Sequence, residues 1–276
     1  MNKDTKQIMV NGDKYTTCAE SLNEIADEFT NGKHGQQYVV IINGYQTGED
    51  LKIKSGDEIT IIEKGKMPSE KQLQFMMSAR NTPGVYERLR DARVAVAGLG
   101  GLGSSIALQL ARTGIGYLHL IDFDVVEPSN LNRQQYRICD LGMNKTDAMK
   151  KEIREINPYI KVVTDCIKVD EENILKLFGE DEYICEAFDN PEAKAVLVNG
   201  VLEHCPDKKI VAASGMAGFE SSNSIVTKKI TDNFYICGDG TNGSEPGRGL
   251  MAPRVTICAG HQSNMILRLI LGKDVD

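Results

Sequence analysis

Gly98, Gly100 and Gly103 stand in a Gly-x-Gly-x-x-Gly arrangement between the apolar run Arg93–Ala97 and a helical pattern that opens at Ser104. Glycines at these spacings permit a tight turn. They also let a phosphate approach backbone N–H groups at a helix N-terminus, where the helix dipole favours negative charge. Asp122 closes the next apolar run, Tyr117–Ile121, where a carboxylate can accept both hydroxyls of a ribose. On these residues alone NAD, FAD and ATP all fit.

The polar residues that follow narrow the chemistry. Asn130 and Arg133 lie in Asn130-Leu131-Asn132-Arg133-Gln134, Lys145 ends Gly142-Met143-Asn144-Lys145, and Asp189-Asn190 follows the apolar run 182–188. Two cations and a strand-end carboxylate beside a nucleotide loop suit a polyphosphate and a divalent metal better than nicotinamide. Hydride transfer needs no such cluster.

Positioning these groups requires a sheet. Runs at 93–97, 117–121, 161–166, 182–188 and 209–213 read as strands, separated by helical patterns at 104–114, 146–156, 171–178 and 191–203. Alternation of this kind predicts a parallel, doubly wound sheet covered on both faces, with ligands beyond the C-terminal strand ends. After Ser214 the rhythm changes. Residues 220–230 read as a polar-faced strand or hairpin, 234–237 as a short strand, 238–249 as a mobile glycine-rich loop and 253–271 as a closing helix. Upstream, residues 68–91 are charged and helix-prone but interrupted at Thr82-Pro83-Gly84, so two short helices are expected in a linker that packs on the second domain.

Composition sets the outer limits. A chain of 276 residues, 41% hydrophobic, is long enough for two cores, and a net charge of −7 without a basic block argues against a nucleic-acid partner. No apolar run is long enough to span a bilayer, and Met-Asn-Lys-Asp lacks the apolar core of a signal peptide, so no membrane partner is expected and the cytoplasm is the expected compartment. Seven cysteines, at 18, 139, 166, 185, 205, 237 and 258, never form a Cys-x-x-Cys pair, and Cys166, Cys185 and Cys258 read as small core residues. The histidines at 34, 119, 204 and 261 form no metal-type cluster, and His119 reads as a strand residue.

Residues 7–64 carry their own pattern. Two β-prone runs flank Asn11-Gly12-Asp13, a helix with Leu22, Ile25, Ala26 and Phe29 follows a Ser21 cap, and strands are expected at 38–42, 51–53 and 58–63. The VNG near the start, the single amphipathic helix, VVIINGY and KSGDEITII together resemble the β-grasp sulfur carriers of the ThiS/MoaD group, relatives of ubiquitin. A working carrier ends in a free Gly-Gly carboxylate. Here the last strand runs on into Glu63-Lys64-Gly65-Lys66-Met67-Pro68, so this domain is not expected to be a carrier itself.

From residue 93 to 271 the combination GLGGLGS, DFD…SNLNRQ, GMNK and FDN is similar to the ThiF/MoeB adenylyltransferases, relatives of the ubiquitin-activating enzymes. The resemblance implies a Rossmann-like domain over 93–276, after a β-grasp domain over 1–66 and a helical linker over 67–92. It implies ATP and Mg2+ as cofactors. Gly98, Gly100, Gly101, Leu102 and Gly103 would lie along the nucleotide, Asp122 and Asp124 near the ribose, Asn130, Arg133 and Lys145 on phosphates, and Asp189 with Asn190 at the magnesium. Arg80 is the nearest candidate for an arginine that relatives present across a homodimer interface to the γ-phosphate, and it is counted with Arg133, Lys145 and Asp189 as catalytic.

Two departures from the family pattern are visible. The paired Cys-x-x-Cys motifs that many relatives use for zinc are missing, so no zinc site is expected. The glycine-rich loop lacks the cysteine that some relatives bond to the carrier, with Cys237 just before it. The expected function is adenylylation of the C-terminal glycine of a separate ThiS-like sulfur carrier, in thiazole synthesis for thiamine. The rival readings are a non-catalytic or autoregulated carrier-binding protein in which the fused domain mimics the carrier, and an NAD-dependent oxidoreductase.

Overall fold

The computed structural model describes residues 5–33 and 37–275, so His34 lies outside it. Two compact units emerge, Met1–Glu87 and Arg88–Asp276.

In the first unit β1 (Lys6–Val10), β2 (Asp13–Thr17), β3 (Tyr38–Ile42), β4 (Tyr45–Gln46) and β5 (Glu58–Glu63) form a sheet of order β2-β1-β5-β3-β4, with α1 (Leu22–Thr30) on one face. Two Asn-Gly pairs make the hairpins. Asn11 and Gly12 have φ of 50° and 86°, Asn43 and Gly44 of 51° and 82°, as the right-handed twist of adjoining strands demands of a two-residue turn. Ser21 caps α1 at the Glu24 N–H, and Leu22, Ile25 and Ala26 enter the core with Ile8, Val10, Ile53, Ile59 and Ile61.

The strand expected at 51–53 is reduced to a single bridge between Ser21 and Lys52. Ile53 is fully buried and its N–H donates to Glu20 O, so the segment pairs with the entry to α1 rather than with a strand. Alternating burial reports an inward face whether or not a ladder partner exists.

The stretch after β5 contains the two short helices expected, α2 (Glu70–Met77) and α3 (Tyr86–Asp91). Residues 70–81 pack inside the first unit. The Phe75 ring lies over Gly12, where a Cβ would come within 3.0 Å of it, and Lys71 pairs with Asp13. The Asn81 carbonyl sits 2.5 Å from where a Cβ on Gly44 would be, and Arg80 donates to the Gln46 side chain. Both hairpin turns are thus clasped by the segment that follows β5.

The second unit holds β6 (Arg93–Ala97), α4 (Gly101–Thr113), β7 (Tyr117–Ile121), α5 (Lys145–Ile156), β8 (Lys161–Asp165), α6 (Ile174–Phe178), β9 (Tyr183–Glu186), α7 (Pro191–His204), β10 (Lys209–Ala213), β11 (Val226–Thr231), β12 (Phe234–Gly238) and α8 (Ala252–Ile270). Its sheet has the order β11-β12-β10-β9-β6-β7-β8, parallel throughout except for β11. Ala95, Ala97, Ile121, Ile184 and Ile210 pack on one face against Phe178, Leu197 and Val201 of α6 and α7. The other face receives α4 and α8, which also pack on each other. The chain runs from β6 to β7 on one side and returns to β9 on the other. The crevice between the ends of β6 and β9 is therefore the switch point at which sheets of this kind bind ligands.

The architecture is α/β: a Rossmann-like, mostly parallel sheet with an antiparallel addition, preceded by a small ubiquitin-like unit. No described helix is long and apolar enough to cross a membrane.

Candidate active site

The loop between β6 and α4 is built by close backbone approach. Gly98 has φ of 90°, and a Cβ there would meet the Ala187 carbonyl and the Phe188 ring, each at 2.9 Å. A Cβ on Gly103 would stand 1.7 Å from the Gly98 carbonyl oxygen. Gly103 lets the first turn of α4 fold onto the loop, and Gly98 lets the loop lie against residues 187–188. Gly100 differs: as the N-cap it offers no side chain to the helix N–H groups, and a Cβ there would meet only Gln134 Nε2, at 3.9 Å. The N-terminus of α4 thus has no side-chain cap, and a helix end of this kind favours an anion.

Asp122 binds the loop to β7. Its Oδ2 accepts from the Leu99 N–H at 2.6 Å and its Oδ1 from the Asp124 N–H at 2.8 Å. Burial raises its pKa, and those N–H groups with the Lys145 charge only partly oppose the rise. Each carboxylate oxygen keeps a second acceptor position for a hydroxyl. Lys145 opens α5 with its ammonium 2.8 Å from Asp124 Oδ2, its side chain buried while Asp124 is half exposed.

Asn130 is used locally, its Oδ1 accepting from the Glu127 N–H at 3.0 Å within a short 3-10 turn, Pro128–Asn130. Arg133 leaves that turn toward the glycine loop, its Cγ 3.4 Å from where a Cβ on Gly101 would lie. One Nη bonds Ser129 O and Asn132 Oδ1, whereas Nε is buried without a partner. Leu102 is a buried residue in the first turn of α4.

Asp189 is exposed just beyond Phe188, the residue that touches Gly98. Asn190 caps α7, its Oδ1 accepting from the Glu192 and Ala193 N–H groups at 2.8 and 3.0 Å. The second unit thus brings the glycine loop, Asp122, Asp124, Arg133 and Lys145 together, with Asn130 and Asn190 shaping neighbouring turns and Asp189 following the Phe188 that touches Gly98. Arg80 belongs to the first unit.

Other side chains join this frame that motif reading left aside. Gln134 is buried beside Gly100 with Oε1 unsatisfied, and Tyr136 donates to Leu99 O at 2.8 Å. Gln134 was legible as the last residue of SNLNRQ; nothing in the sequence marked Tyr136. Two buried polar atoms, Gln134 Oε1 and Arg133 Nε, lack partners, on residues that lie beside Gly100 and Gly101 respectively. That donor and acceptor set fits a nucleotide with its phosphates at the α4 N-terminus.

The loop expected to be mobile is anchored where it begins. Asp239 accepts from Thr241 and Asn242, and pairs with Arg254 of α8. Burial alone would raise the Asp239 pKa, but the Asn242 and Thr241 donors hold it well below the usual carboxylate range. Arg254, itself buried, also donates to Glu220 O and Ser221 O. Cys237 is fully buried with its thiol pushed up to about 11, a poor nucleophile, and Cys185 and Cys258 are buried as expected. Cys166, expected in the core, is exposed one residue past β8. His119 is a buried strand residue held between Asp181 and Asp165, each at 2.8 Å. Among the described residues no group of three or more His, Cys, Asp or Glu could hold a metal ion.

Fold and site define an α/β protein with a polar, glycine-rich crevice at a topological switch point. The chain belongs to the ThiF family, whose match covers residues 71–276; residues 7–65 match the ThiS-like ubiquitin family. The molybdopterin-synthase adenylyltransferase of Salmonella typhimurium is 30% identical over 190 residues, 67% of this chain and 75% of that protein. That of Haemophilus influenzae is 35% identical over 133 residues, 48% of this chain and 53% of the relative. The adenylyltransferase and sulfurtransferase UBA4 of Candida glabrata is 28% identical over 195 residues, 70% of this chain but 43% of the relative. The chain therefore spans about half the length of the last two. Among solved structures, the E. coli tRNA N6-threonylcarbamoyladenosine dehydratase TcdA in complex with ATP aligns at a TM-score of 0.67 and 24% identity, over 75% of this chain and 97% of that one, a likeness of fold.

Proposed function

We propose that this chain is an ATP-dependent adenylyltransferase that activates the C-terminal glycine carboxylate of a separate, small ThiS-like sulfur carrier and releases pyrophosphate. The observation that carries the reading is the capless N-terminus of α4 at Gly100, with Gln134 beside it, Arg133 against Gly101, and the loop tied through Leu99 to Asp122, whose carboxylate feels the Lys145 charge. Attack of a carboxylate on an α-phosphate brings two anions together and builds charge on the leaving pyrophosphate. Arg133 and Lys145 would offset that charge, the glycine-loop N–H groups would fix the phosphate, and Asp122 would take the ribose. Asp189, exposed at the strand end, would share a magnesium ion with the phosphates, an arrangement that needs only one or two carboxylates. That ion supplies charge neutralisation of the phosphoryl oxygens when bound.

Thiazole synthesis for thiamine is the pathway we infer, supported by the likeness of residues 7–65 to ThiS. Several similar adenylyltransferases are named for molybdopterin synthase, so both carriers belong in the assay. Exchange of labelled pyrophosphate into ATP should depend on a Gly-Gly-ended carrier and on Mg2+, and should be lost in Asp189→Ala. Absence of exchange with every such carrier overturns the proposal.

A second reading has its own observation. The strand β5 leads directly into residues 70–81, which clasp the two Asn-Gly turns, so the first unit presents no free tail. In this reading the unit is a built-in mimic that regulates access of the true carrier. Removal of residues 1–66 should then raise carrier affinity, and an unchanged affinity refutes it.

A further inference from the structure

Beside the candidate site lies an ion pair that none of the roles above employs. Glu186, the last residue of β9, is fully buried, and both its oxygens accept from Lys194 Nζ, at 3.0 and 2.8 Å. Lys194 stands on α7 and also donates to Ala213 O, at the end of β10, at 3.1 Å. Glu186 Oε1 accepts from the Phe188 N–H at 2.7 Å. From α8, Gln262 Nε2 donates to the Glu186 carbonyl at 2.9 Å and to Val211 O at 3.0 Å.

A buried ion pair is weak evidence for stability, because desolvating both charges offsets their attraction and an apolar pair of the same volume would hold the fold as well. Its hydrogen bonds converge on one short stretch. The turn 187–189 is fixed on its near side by Glu186 at the Phe188 N–H, and by the Ala187 N–H donating to Ala97 O at 2.9 Å. On its far side Asn190 caps α7. Ala187 and Phe188 lie against Gly98, and Asp189, the next residue, is exposed. Burial pushes Glu186 toward its neutral form, the Lys194 ammonium and the Phe188 N–H oppose that, and Lys194 also ties α7 to β10.

We infer that Glu186 and Lys194 are positioning residues that hold the turn 187–189 so that Asp189 meets a phosphate-bound divalent cation at the mouth of the glycine loop. The inference rests on the nucleotide reading above and deepens it. An ion pair present only for packing would affect stability alone; one that orients Asp189 affects the cation-dependent part of nucleotide binding. Outer-shell partners of metal ligands change metal affinity by about 10–100-fold when removed.

The test is calorimetric titration of ATP into the full chain with Mg2+ and with EDTA, for wild type, Glu186→Gln, Asp189→Ala and the combination, with thermal melts of each. Glu186→Gln should weaken ATP binding in Mg2+ by about tenfold, leave binding in EDTA unchanged, and add nothing in the Asp189→Ala background. The double variant E186Q/K194M, in which the pair is replaced by neutral groups, should melt near wild type yet show the same loss. Equal ATP affinity for wild type and both variants in Mg2+ overturns the inference while leaving the nucleotide site standing. So does an equal loss in EDTA, or a loss that adds to that of Asp189→Ala. A wild-type chain that does not bind ATP at all overturns the nucleotide reading and this inference together.

Discussion

Replacement of Gly100 by alanine separates the two duties of the glycine loop. Gly100 has φ of −71°, and a Cβ there meets nothing nearer than Gln134 Nε2 at 3.9 Å. Alanine at an N-cap costs about 0.5–1 kcal/mol relative to glycine, and loss of glycine freedom in the unfolded chain returns ~0.4–1 kcal/mol. Unfolding free energy should therefore stay within about 1 kcal/mol of wild type. The new methyl group would nevertheless stand where a phosphate approaches the N–H groups of α4. At ATP one hundredfold above its Kd, wild type gains ~2.7 kcal/mol of stability. If the methyl weakens binding one hundredfold, the same ATP concentration yields only about 0.4 kcal/mol, a loss of ~2.3 kcal/mol. At roughly 2–4 °C per kcal/mol for a unit of this size, the ATP-induced rise in Tm should shrink by about 5–9 °C. Differential scanning fluorimetry with and without ATP reads this directly. Gly103→Ala is the contrast, because its Cβ would lie 1.7 Å from the Gly98 carbonyl oxygen, so it should lower Tm even without nucleotide. A Gly100→Ala protein with the full ATP shift would refute the placement of phosphate at this helix end.

His119 should make stability pH-dependent: burial alone would lower its pKa, but the carboxylates of Asp181 and Asp165 raise it overall. Stability from the protonated ring is complete below its unfolded value of about 6.5 and is lost as pH rises through the folded value; urea midpoints should fall over that window, and His119→Gln should flatten the fall. Asp239→Ala would strand the buried Arg254 guanidinium, with an expected cost of ~3–5 kcal/mol and faster proteolytic cleavage within residues 238–249, followed by mass spectrometry. Gly44→Ala combines a φ of 82° with a contact of 2.5 Å to Asn81 O and should destabilise the first unit by ~1–3 kcal/mol. Hydrogen exchange should then speed up at residues 70–81, and unchanged protection there would refute the clasp.

What the chain order alone determined was everything carried by local spacing. Alternating strands and helices dictated the parallel sheet, Asn11-Gly12 dictated the first hairpin, and the glycine fingerprint with Asp122, Arg133 and Lys145 marked a candidate phosphate site, because each depends on residues within one or two elements. Tertiary structure decided which of those residues meet. It put Asp122 on the Leu99 N–H, tied Lys145 to Asp124, and gave Asn130 and Asn190 to their own turns. It drew residues 70–81 onto the hairpin turns, and it built the Glu186–Lys194 pair from two elements and anchored it on a third. Such contacts were not legible because a buried charge and a surface charge are spelled alike. Only close approach of distant segments, as at Gly98 against Ala187, decides which side chains lose water and must find partners.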